Sequence, residues 1–329
     1  MGSMHPEFKS YLQKLLKAKD CQETEVIQSL WSGYGKISRF QLYGSAYGSV
    51  VVKQIRLEKV KTHPRGWNTD ISHQRKVKSY KVETNWYKNF NKNCSVDCRT
   101  PQFLGSLSQE QKQWIVLEDL DHFFPLRKEY LQLTEVKLCL RWLAHFHATF
   151  LNKSPNGLWK IGTYWHLATR PEEFNKMELS PLKDKAKRID DLLNNCQYQT
   201  LVHGDAKVAN FCFSQNEKQV AAVDFQYVGG GCGMKDVAYL IGSCLTSEEC
   251  QKYEKEILNF YFDVLKNLCL NSMSLEEYEK LEQEWRKLHP FAVADFMRFM
   301  KGWMPNHKKV NSYTEEKVNE VLKILNPQQ

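Results

Sequence analysis

The spacing of apolar positions divides the chain into a front part with strand periodicity and a rear part with helical periodicity. Apolar residues recur at helical spacing over residues 8–16, which predicts a short amphipathic helix that ends near Asp20. Three short runs rich in β-branched and aromatic residues follow, separated by glycine-containing turns, and they predict an antiparallel meander. These predicted strands are residues 26–31, 37–43 and 49–55.

The remaining pattern is mixed up to Asp119 and mainly helical after it. Residues 56–81 are basic and lack sustained periodicity until about Arg75, which predicts a mobile insertion that leads into a helix through Phe90. Further strands are predicted at 103–107, 114–117, 211–213 and 220–223, and helices at 131–150, 188–196 and from 235 to the end. The fold class expected is α+β, with a sheet-rich N-terminal lobe (1–118) and a mainly helical C-terminal lobe (119–329).

Composition limits the kind of protein, and charge adds one open question. Of 329 residues, 42% are hydrophobic and 26% are charged, which excludes a disordered chain. No apolar run approaches the roughly 20 residues that a membrane-spanning helix needs, so no membrane partner is expected. The whole chain has a net charge of +8. The excess of positive charge lies in residues 1–113, which hold 19 Lys and Arg against 9 Asp and Glu. Such a field could attract nucleic acid, a membrane surface or a polyanionic small molecule, or it could be a solvated face.

Cysteine usage bears on the compartment. Ten cysteines stand at irregular positions, and the first residues carry no basic and apolar stretch of the kind that directs export. This pattern is typical of reduced, mostly buried thiols. A cytoplasmic location is therefore predicted.

The most informative segment combines two short polar motifs with flanking apolar runs. His203, Gly204 and Asp205 are followed by Asn210, five positions after Asp205, and Asp224 comes fourteen positions later. Phosphoryl transfer needs such groups, because one carboxylate accepts the proton of the attacking hydroxyl and the other oxygens bind Mg²⁺ on the nucleotide phosphates. The segment predicts a phosphoryl-transfer site.

These motifs resemble those of the kinase-like small-molecule phosphotransferases, the aminoglycoside phosphotransferase and choline kinase superfamily, and within it the ecdysteroid-kinase-like group. The likeness rests on H-G-D-x-x-x-x-N at 203–210 and D-F-Q at 224–226, with supporting matches at 117–120 and 143–148. The resemblance implies a protein-kinase-like fold with ATP between two lobes and a small-molecule hydroxyl as acceptor. It also implies Asp205 as catalytic base and Asn210 and Asp224 as magnesium ligands.

The N-terminal lobe holds candidate nucleotide contacts in the order that this resemblance implies. Lys53, in the run 50–55, matches the strand lysine that binds nucleotide phosphates, and Glu83 on the next helix matches its ion-pair partner. Apolar neighbours on both sides of Lys53 favour burial over a solvent-facing position, and Glu58 is an alternative partner.

Two backbone segments are weaker candidates for nucleotide binding. Gly33 and Gly35 lie where a phosphate-covering loop would stand, but the third glycine of G-x-G-x-x-G is missing and a plain hairpin turn fits almost as well. Glu118 and Leu120 match the segment that would hydrogen-bond adenine, and an ordinary strand end predicts the same local sequence.

Further candidates surround the central motif. Lys207, with His203, joins the catalytic candidates, because its charge could neutralise the transferring group. Asp236 is either a helix cap or, as the resemblance implies, an aspartate that braces the catalytic loop. Only twelve positions separate Asp224 from Asp236, and no A-P-E motif follows, which favours a small acceptor over a peptide.

Aromatic residues of the C-terminal lobe leave the acceptor open. Together with Asp295 they could form a pocket that binds a cation, although aromatics at helical spacing are more often core. These residues are Trp159, Tyr164, Trp165, Trp285, Phe291, Phe296 and Trp303. The identity of the acceptor and the oligomeric state cannot be read from this pattern.

Three other functions compete with a small-molecule kinase. A protein kinase is disfavoured by Gly204 and Gln226, and a binding protein without turnover is disfavoured because every expected catalytic position is filled. Nucleic-acid binding would use the basic N-terminal lobe, but no recognition motif accompanies the charge. The expected cofactors are ATP and Mg²⁺.

Overall fold

The computed structural model describes residues 5–30, 33–58 and 69–326. Residues 31–32, at the end of the first predicted strand and the start of its turn, and 59–68 of the predicted mobile insertion lie outside the described residues. The chain forms two compact units. The N-terminal unit comprises residues 1–93 and 100–123, and the C-terminal unit comprises 94–99 and 124–329.

An antiparallel five-stranded sheet is the centre of the N-terminal unit. Its strands are β1 (Asp20–Ser29), β2 (Gly35–Tyr43), β3 (Ser49–Arg56), β4 (Phe103–Gln109) and β5 (Lys112–Glu118), in the order β1-β2-β3-β5-β4. Two helices accompany the sheet, α1 (Pro6–Leu16) and α2 (Asp70–Asn89). The predicted meander is confirmed, and β1 begins earlier than its apolar run because polar residues also pair with β2.

Helix α1 covers one face of this sheet. The α1 residues Phe8, Leu12 and Leu16 form a buried cluster with apolar side chains of the sheet, among them Val50 and Val52. Side chains alternate along a strand, so Val51, Lys53 and Ile55 face the opposite side of the sheet from Val50 and Val52. Lys53 is buried on that opposite face, in the middle of β3.

Seven helices and two short strand pairs make up the described part of the C-terminal unit. The helices are α3 (Leu133–Thr149), α4 (Pro171–Lys176), α5 (Pro181–Asn194), α6 (Met234–Cys244), α7 (Ser247–Cys269), α8 (Leu275–Trp303) and α9 (Ser312–Leu325). The antiparallel pairs are β6 (Thr200–Val202) with β9 (Gly229–Gly231) and β7 (Phe211–Phe213) with β8 (Val220–Ala222). Within the described residues, no helix has the length and apolar content required to cross a bilayer.

Strand β9 was not predicted from the sequence, because three glycines indicate a loop. Its backbone runs so close to the segment before α4 that a Cβ atom on Gly229 would lie 2.3 Å from the carbonyl oxygen of Trp159. Glycine is needed here for this close approach of two backbones. Nine of the ten cysteines are buried, as their irregular spacing predicts, and Cys94 is half-buried.

A buried histidine in α8 gives the C-terminal unit a pH-dependent stability. His289 is 1% exposed, and burial lowers its pKa from 6.5 to about 4, with Glu254 acting in the opposite direction. In the unfolded chain the His289 imidazole binds a proton near pH 6.5, whereas in the folded protein it binds one only near pH 4. The free energy of unfolding should therefore fall as the pH drops from 6.5 to 4. We expect a loss of roughly 3 kcal/mol over this interval, measured by urea unfolding at several pH values. A His289→Leu variant should lack this component, and an unchanged slope in that variant would contradict it.

Candidate active site

The loop between β6 and β7 brings the predicted base and its neighbours together. Asp205 is 6% exposed, and its Oδ2 accepts hydrogen bonds from Lys207 Nζ at 3.0 Å and from Asn210 Nδ2 at 3.1 Å. Asn210 Nδ2 also donates to the Asp205 carbonyl oxygen at 2.7 Å. The buried Oδ1 of Asp205 accepts no hydrogen bond from the residues that the structure describes. One carboxylate oxygen is therefore held in place and the other is left for a ligand.

His203 holds the backbone of this loop. Its ring is fully buried, with Nε2 lying 3.0 Å from the carbonyl oxygen of Val223 and Nδ1 accepting the N–H of Asp205 at 3.2 Å. Both ring nitrogens are thus occupied by the backbone, which leaves neither for proton transfer. The structure therefore corrects the prediction of a catalytic role for His203 and makes it a positioning residue.

Asp236, in the first turn of α6, holds the backbone of the same loop through hydrogen bonds. Its Oδ2 accepts the N–H of His203 at 2.6 Å, and its Oδ1 accepts the N–H of Gly204 at 2.9 Å. His147 Nε2 lies 3.2 Å from Oδ2, and His147 Nδ1 lies 2.7 Å from the hydroxyl of Tyr261. The carboxylate is fully buried, so these donors replace the water that it loses. Asp236 therefore holds the backbone of the loop at His203 and Gly204.

Asp224 follows β8 in an unusual backbone conformation. Its φ of 69° lies in the left-handed region, which costs a residue with a Cβ atom about 1–2 kcal/mol. The amide of Gln226 donates to its Oδ1, and the neighbouring Val223 N–H donates to the Asn210 carbonyl at 3.0 Å. The last of these bonds ties the start of the D-F-Q segment to the catalytic loop. Sequence reasoning missed the support from Gln226, although its position two residues after Asp224 was visible.

The donor atoms of this cluster suit Mg²⁺. Asp224 offers a carboxylate, and Asn210 keeps its side-chain carbonyl oxygen because its NH₂ group donates to Asp205. Hard oxygen ligands of this kind are what Mg²⁺ prefers. No cluster of three or more His, Cys, Asp and Glu suited to a metal occurs within the described residues, so such an ion would also need oxygens from the nucleotide or water.

Lys207 places a positive charge beside the Asp205 carboxylate. The Asp205 carboxylate raises the pKa of Lys207, burial opposes the rise, and Asp224 adds to it. Lys207 is therefore protonated at neutral pH and lies beside the Asp205 carboxylate.

In the N-terminal unit, Lys53 and Glu83 form the predicted ion pair. Lys53 Nζ lies 2.9 Å from Glu83 Oε1 and 2.7 Å from Oε2, and the two residues are 3% and 1% exposed. Lys53 pairs with Ile37 of β2 and Ile115 of β5, which places it in the central strand. Glu58, the alternative partner, is exposed. The ammonium is thus fixed on the sheet by α2.

A pair of variants separates the structural role of this ion pair from a role in nucleotide binding. Lys53→Met leaves Glu83 charged and buried, so we expect a loss of about 3–5 kcal/mol in the free energy of unfolding. Lys53→Met combined with Glu83→Leu removes both charges and should recover most of that stability. Both proteins should bind Mg·ATP at least tenfold more weakly, measured by titration calorimetry. If the double variant bound nucleotide as the wild type does, Lys53 would have no role on the phosphates.

The two predicted loop glycines form the end of a hairpin. Gly33 (φ 75°) donates its N–H to the Leu30 carbonyl at 3.2 Å, and Gly35 (φ 136°) is the first residue of β2. A Cβ atom on Gly35 would lie 1.9 Å from the carbonyl oxygen of Gln54. This packing explains Gly35 without a phosphate, so the hairpin alternative applies at least to this residue.

The predicted adenine-binding segment contains an ionic cluster that sequence reasoning missed. Asp119 Oδ2 accepts hydrogen bonds from Ser49 and from Arg39 Nε, each at 2.7 Å. Burial would raise the pKa of Asp119, but these two donors lower it below its usual value. On either side, Glu118 donates its N–H to the Gln102 carbonyl at 3.0 Å, and Leu120 is buried with its carbonyl bonded to Phe123. The Glu118 N–H is therefore already used within the sheet.

Asp295 does not offer a free charge to a cation. Its Oδ1 accepts from Arg298 Nη2 at 2.8 Å and Nε at 3.0 Å, while its Oδ2 accepts from Trp165 Nε1 at 3.1 Å. All three residues are nearly or fully buried. The structure thus contradicts the interpretation of Asp295 as a cation ligand, because Arg298 already neutralises it.

Comparison with solved structures defines the class of fold. An amicoumacin kinase in complex with AMP-PNP, Ca²⁺ and Ami is 13% identical, with a TM-score of 0.53, and the match covers 97% of this chain and 95% of that one. A Plasmodium vivax ethanolamine kinase is 13% identical, with a TM-score of 0.52, covering 95% of this chain and 86% of that one. A microcompartment-associated aminopropanol kinase is 11% identical, with a TM-score of 0.50, covering 97% and 94%. This chain therefore shares the fold of these kinases, and the predicted fold, with an antiparallel sheet in the N-terminal part and helices in the C-terminal part, is confirmed.

Sequence comparison adds one match. Residues 166–325, just under half of the chain, match the family model DUF1679, described as "Uncharacterized oxidoreductase dhs-27". No curated protein matches the sequence significantly. The matched range contains the H-G-D and D-F-Q motifs, helix α6 with Asp236, and helices α7 to α9.

Proposed function

We propose that this protein is an ATP-dependent phosphotransferase that moves the γ-phosphoryl group to a hydroxyl of a small molecule. The observation that carries the proposal is the arrangement of the loop at 203–210. Asp205 has one oxygen held by Lys207 and Asn210 and the other buried without a partner. A carboxylate prepared in this way can accept a hydrogen bond, and then a proton, from an alcohol.

Each residue then has one task in the reaction. Asp205 Oδ1 orients the attacking hydroxyl and takes its proton, while Lys207 offsets the negative charge of the transferring group. Asn210 and Asp224 would hold Mg²⁺, which when bound neutralises the nucleotide phosphates. Lys53, fixed by Glu83, would bind the nucleotide phosphates from the N-terminal unit. We divide the work accordingly, with nucleotide contacts in that unit and chemistry and acceptor in the C-terminal unit.

The length of the segment after Asp224 favours a small acceptor. Only eleven residues lie between Asp224 and Asp236, and five of them belong to strand β9 and to the start of α6 at Met234. A protein kinase uses a longer segment at this point to position its peptide substrate. The solved kinases above act, by their names, on amicoumacin, ethanolamine and aminopropanol, which supports a small acceptor for this chain.

The other features of the sequence agree with this proposal. The positive charge of residues 1–113 suits a polyanionic triphosphate, so no nucleic-acid or membrane partner is needed to explain it. An oxidoreductase, the word used for the matching family model, would need a redox cofactor. Dinucleotide redox cofactors bind at a glycine-rich turn that opens a helix. The one triple-glycine segment of the described chain instead forms strand β9, which pairs with β6. We expect the enzyme to act in the cytoplasm.

A transfer assay tests the proposal. Protein, Mg²⁺ and γ-³²P-labelled ATP are incubated with a panel of hydroxyl compounds, and labelled products are separated by thin-layer chromatography. We expect a labelled small molecule whose formation stops when Mg²⁺ is removed with EDTA. Label on a peptide library alone would indicate a protein kinase. A thermal shift with Mg·ATP and no transfer to any acceptor would indicate a binding protein.

A further inference from the structure

A wall of three aromatic rings and one lysine stands beside the catalytic loop within the C-terminal unit. Tyr164 donates its N–H to the Gly204 carbonyl at 3.2 Å, and its hydroxyl lies 3.1 Å from that of Tyr239 on α6. Lys309, in the segment between α8 and α9, holds its Nζ 4.5 Å from the ring centroid of Tyr239 and 5.4 Å from that of Phe296. The faces of two of these rings therefore already carry a cation.

Lys309 lies within electrostatic reach of the catalytic carboxylate. Burial lowers the pKa of Lys309 to about 8, and Asp205 acts in the opposite direction. The side chain is half-buried and forms no salt bridge with any carboxylate of the described residues. At pH 7 most of the amine remains protonated, so the faces of Tyr239 and Phe296 carry a positive charge that no carboxylate of the described residues pairs.

The carboxylate next to Phe296 on α8 is not available to a cation. Asp295, one residue before Phe296 on α8, is 2% exposed and forms its salt bridge with Arg298. Tyr164 and Tyr239 add no negative charge, because burial raises the pKa of each phenol. The wall thus presents aromatic rings, two neutral hydroxyls and an ammonium.

We propose that Lys309 selects the acceptor by charge: it occupies the aromatic faces that an amine would use, so the enzyme phosphorylates alcohols that carry no cationic group. This inference rests on the proposed phosphotransferase function and names the class of its substrate. An ammonium bound on Tyr239 or Phe296 would meet the charge of Lys309 at a few ångströms, where two like charges repel strongly. An oxygen of a neutral or anionic acceptor would instead accept a hydrogen bond from Lys309. The aminopropanol and ethanolamine kinases of the same fold are, by name, enzymes for acceptors that carry an amine.

The test uses matched pairs of alcohols that differ in charge and little in shape. Choline is paired with 3,3-dimethylbutan-1-ol, ethanolamine with propan-1-ol, and larger amino alcohols with their carbon or hydroxyl analogues. Initial rates of transfer from γ-labelled ATP with Mg²⁺ are measured for the wild type, Lys309→Met and Lys308→Met. Lys308 is the matched control, because it is exposed and its Nζ lies over Tyr130, 5.4 Å from the ring centroid.

Three results are possible, and each decides the matter. We expect the wild type to prefer the uncharged member of each pair that it accepts, and Lys309→Met to shift the ratio of kcat/KM toward the cationic member by 10- to 100-fold, with Lys308→Met unchanged. Preference of the wild type for the cationic members, or an unchanged ratio in Lys309→Met, would overturn the selection by Lys309 and leave the phosphotransferase function standing. Transfer to no member of any pair or of the wider panel would overturn both.

Discussion

Asp205→Asn should fold as the wild type does and lose about 10³- to 10⁴-fold in the rate of phosphoryl transfer. The amide keeps an oxygen that can accept the hydrogen bonds from Lys207 and Asn210, so the loop has no reason to rearrange. It cannot take a proton from the attacking hydroxyl, and general base catalysis accounts for a factor of this order. Initial rates with γ-labelled ATP and the best acceptor of the panel measure the loss.

Nucleotide binding gives this prediction its control. Asp205→Asn should retain the thermal shift produced by Mg·ATP to within a few degrees, because Lys53 and Asp224 are unchanged. Asp224→Asn should lose both activity and the magnesium-dependent part of that shift, since it removes a charged ligand. Turnover of Asp205→Asn within tenfold of the wild type would remove Asp205 from its assigned role.

Gly204→Ala should destabilise the C-terminal unit by at least about 3 kcal/mol. Gly204 has a φ of 78°, and an added Cβ atom would lie 2.2 Å from the carbonyl oxygen of Tyr227 and 2.8 Å from the backbone nitrogen of Thr163. Both neighbours are backbone atoms, so relief of the clash would move two segments, and the left-handed conformation costs about 1–2 kcal/mol in addition. The free energy of urea unfolding is the appropriate measurement.

Gly33→Ala is the matched control for this substitution. Gly33 has a nearly equal φ of 75°, but its added Cβ atom would meet no atom within 4 Å. It should therefore lose only the conformational part, about 1 kcal/mol. Protein kinases have an arginine at the position of Gly204. Equal losses of stability in the two variants would show that close packing is not the reason why this chain has a glycine there.

Most of the fold could be predicted from the sequence because its strands and helices follow simple periods. The strand β7 was predicted with its observed bounds, and β2, β3 and β5 within two residues, since turns rich in glycine or polar residues mark their ends. Strands β6 and β9 were missed. The first has only three residues, and the second consists of glycines, whose pairing depends on contacts distant in sequence.

Part of the candidate site could also be predicted from the sequence, and part could not. The spacing of Asp205, Asn210 and Asp224 could be read from the chain, because the motif is local. The ionic cluster of Arg39, Ser49 and Asp119 could not, since its members are separated by up to 80 positions and only the sheet brings them together. The neutralisation of Asp295 by Arg298 was open to prediction, because residues three apart on a helix lie on one face. The contact of Asp295 with Trp165 could not be predicted, because the two residues are far apart in sequence.

The carboxylate of Asp236 has one consequence for how such enzymes diversify. Its two oxygens accept the N–H groups of His203 and Gly204, and neither bond involves a residue of the segment between α8 and α9 that carries Lys309. A substitution in that segment would therefore leave both anchoring bonds in place. On the proposed function, one acceptor can be exchanged for another through that segment while the loop that holds Asp205 stays fixed.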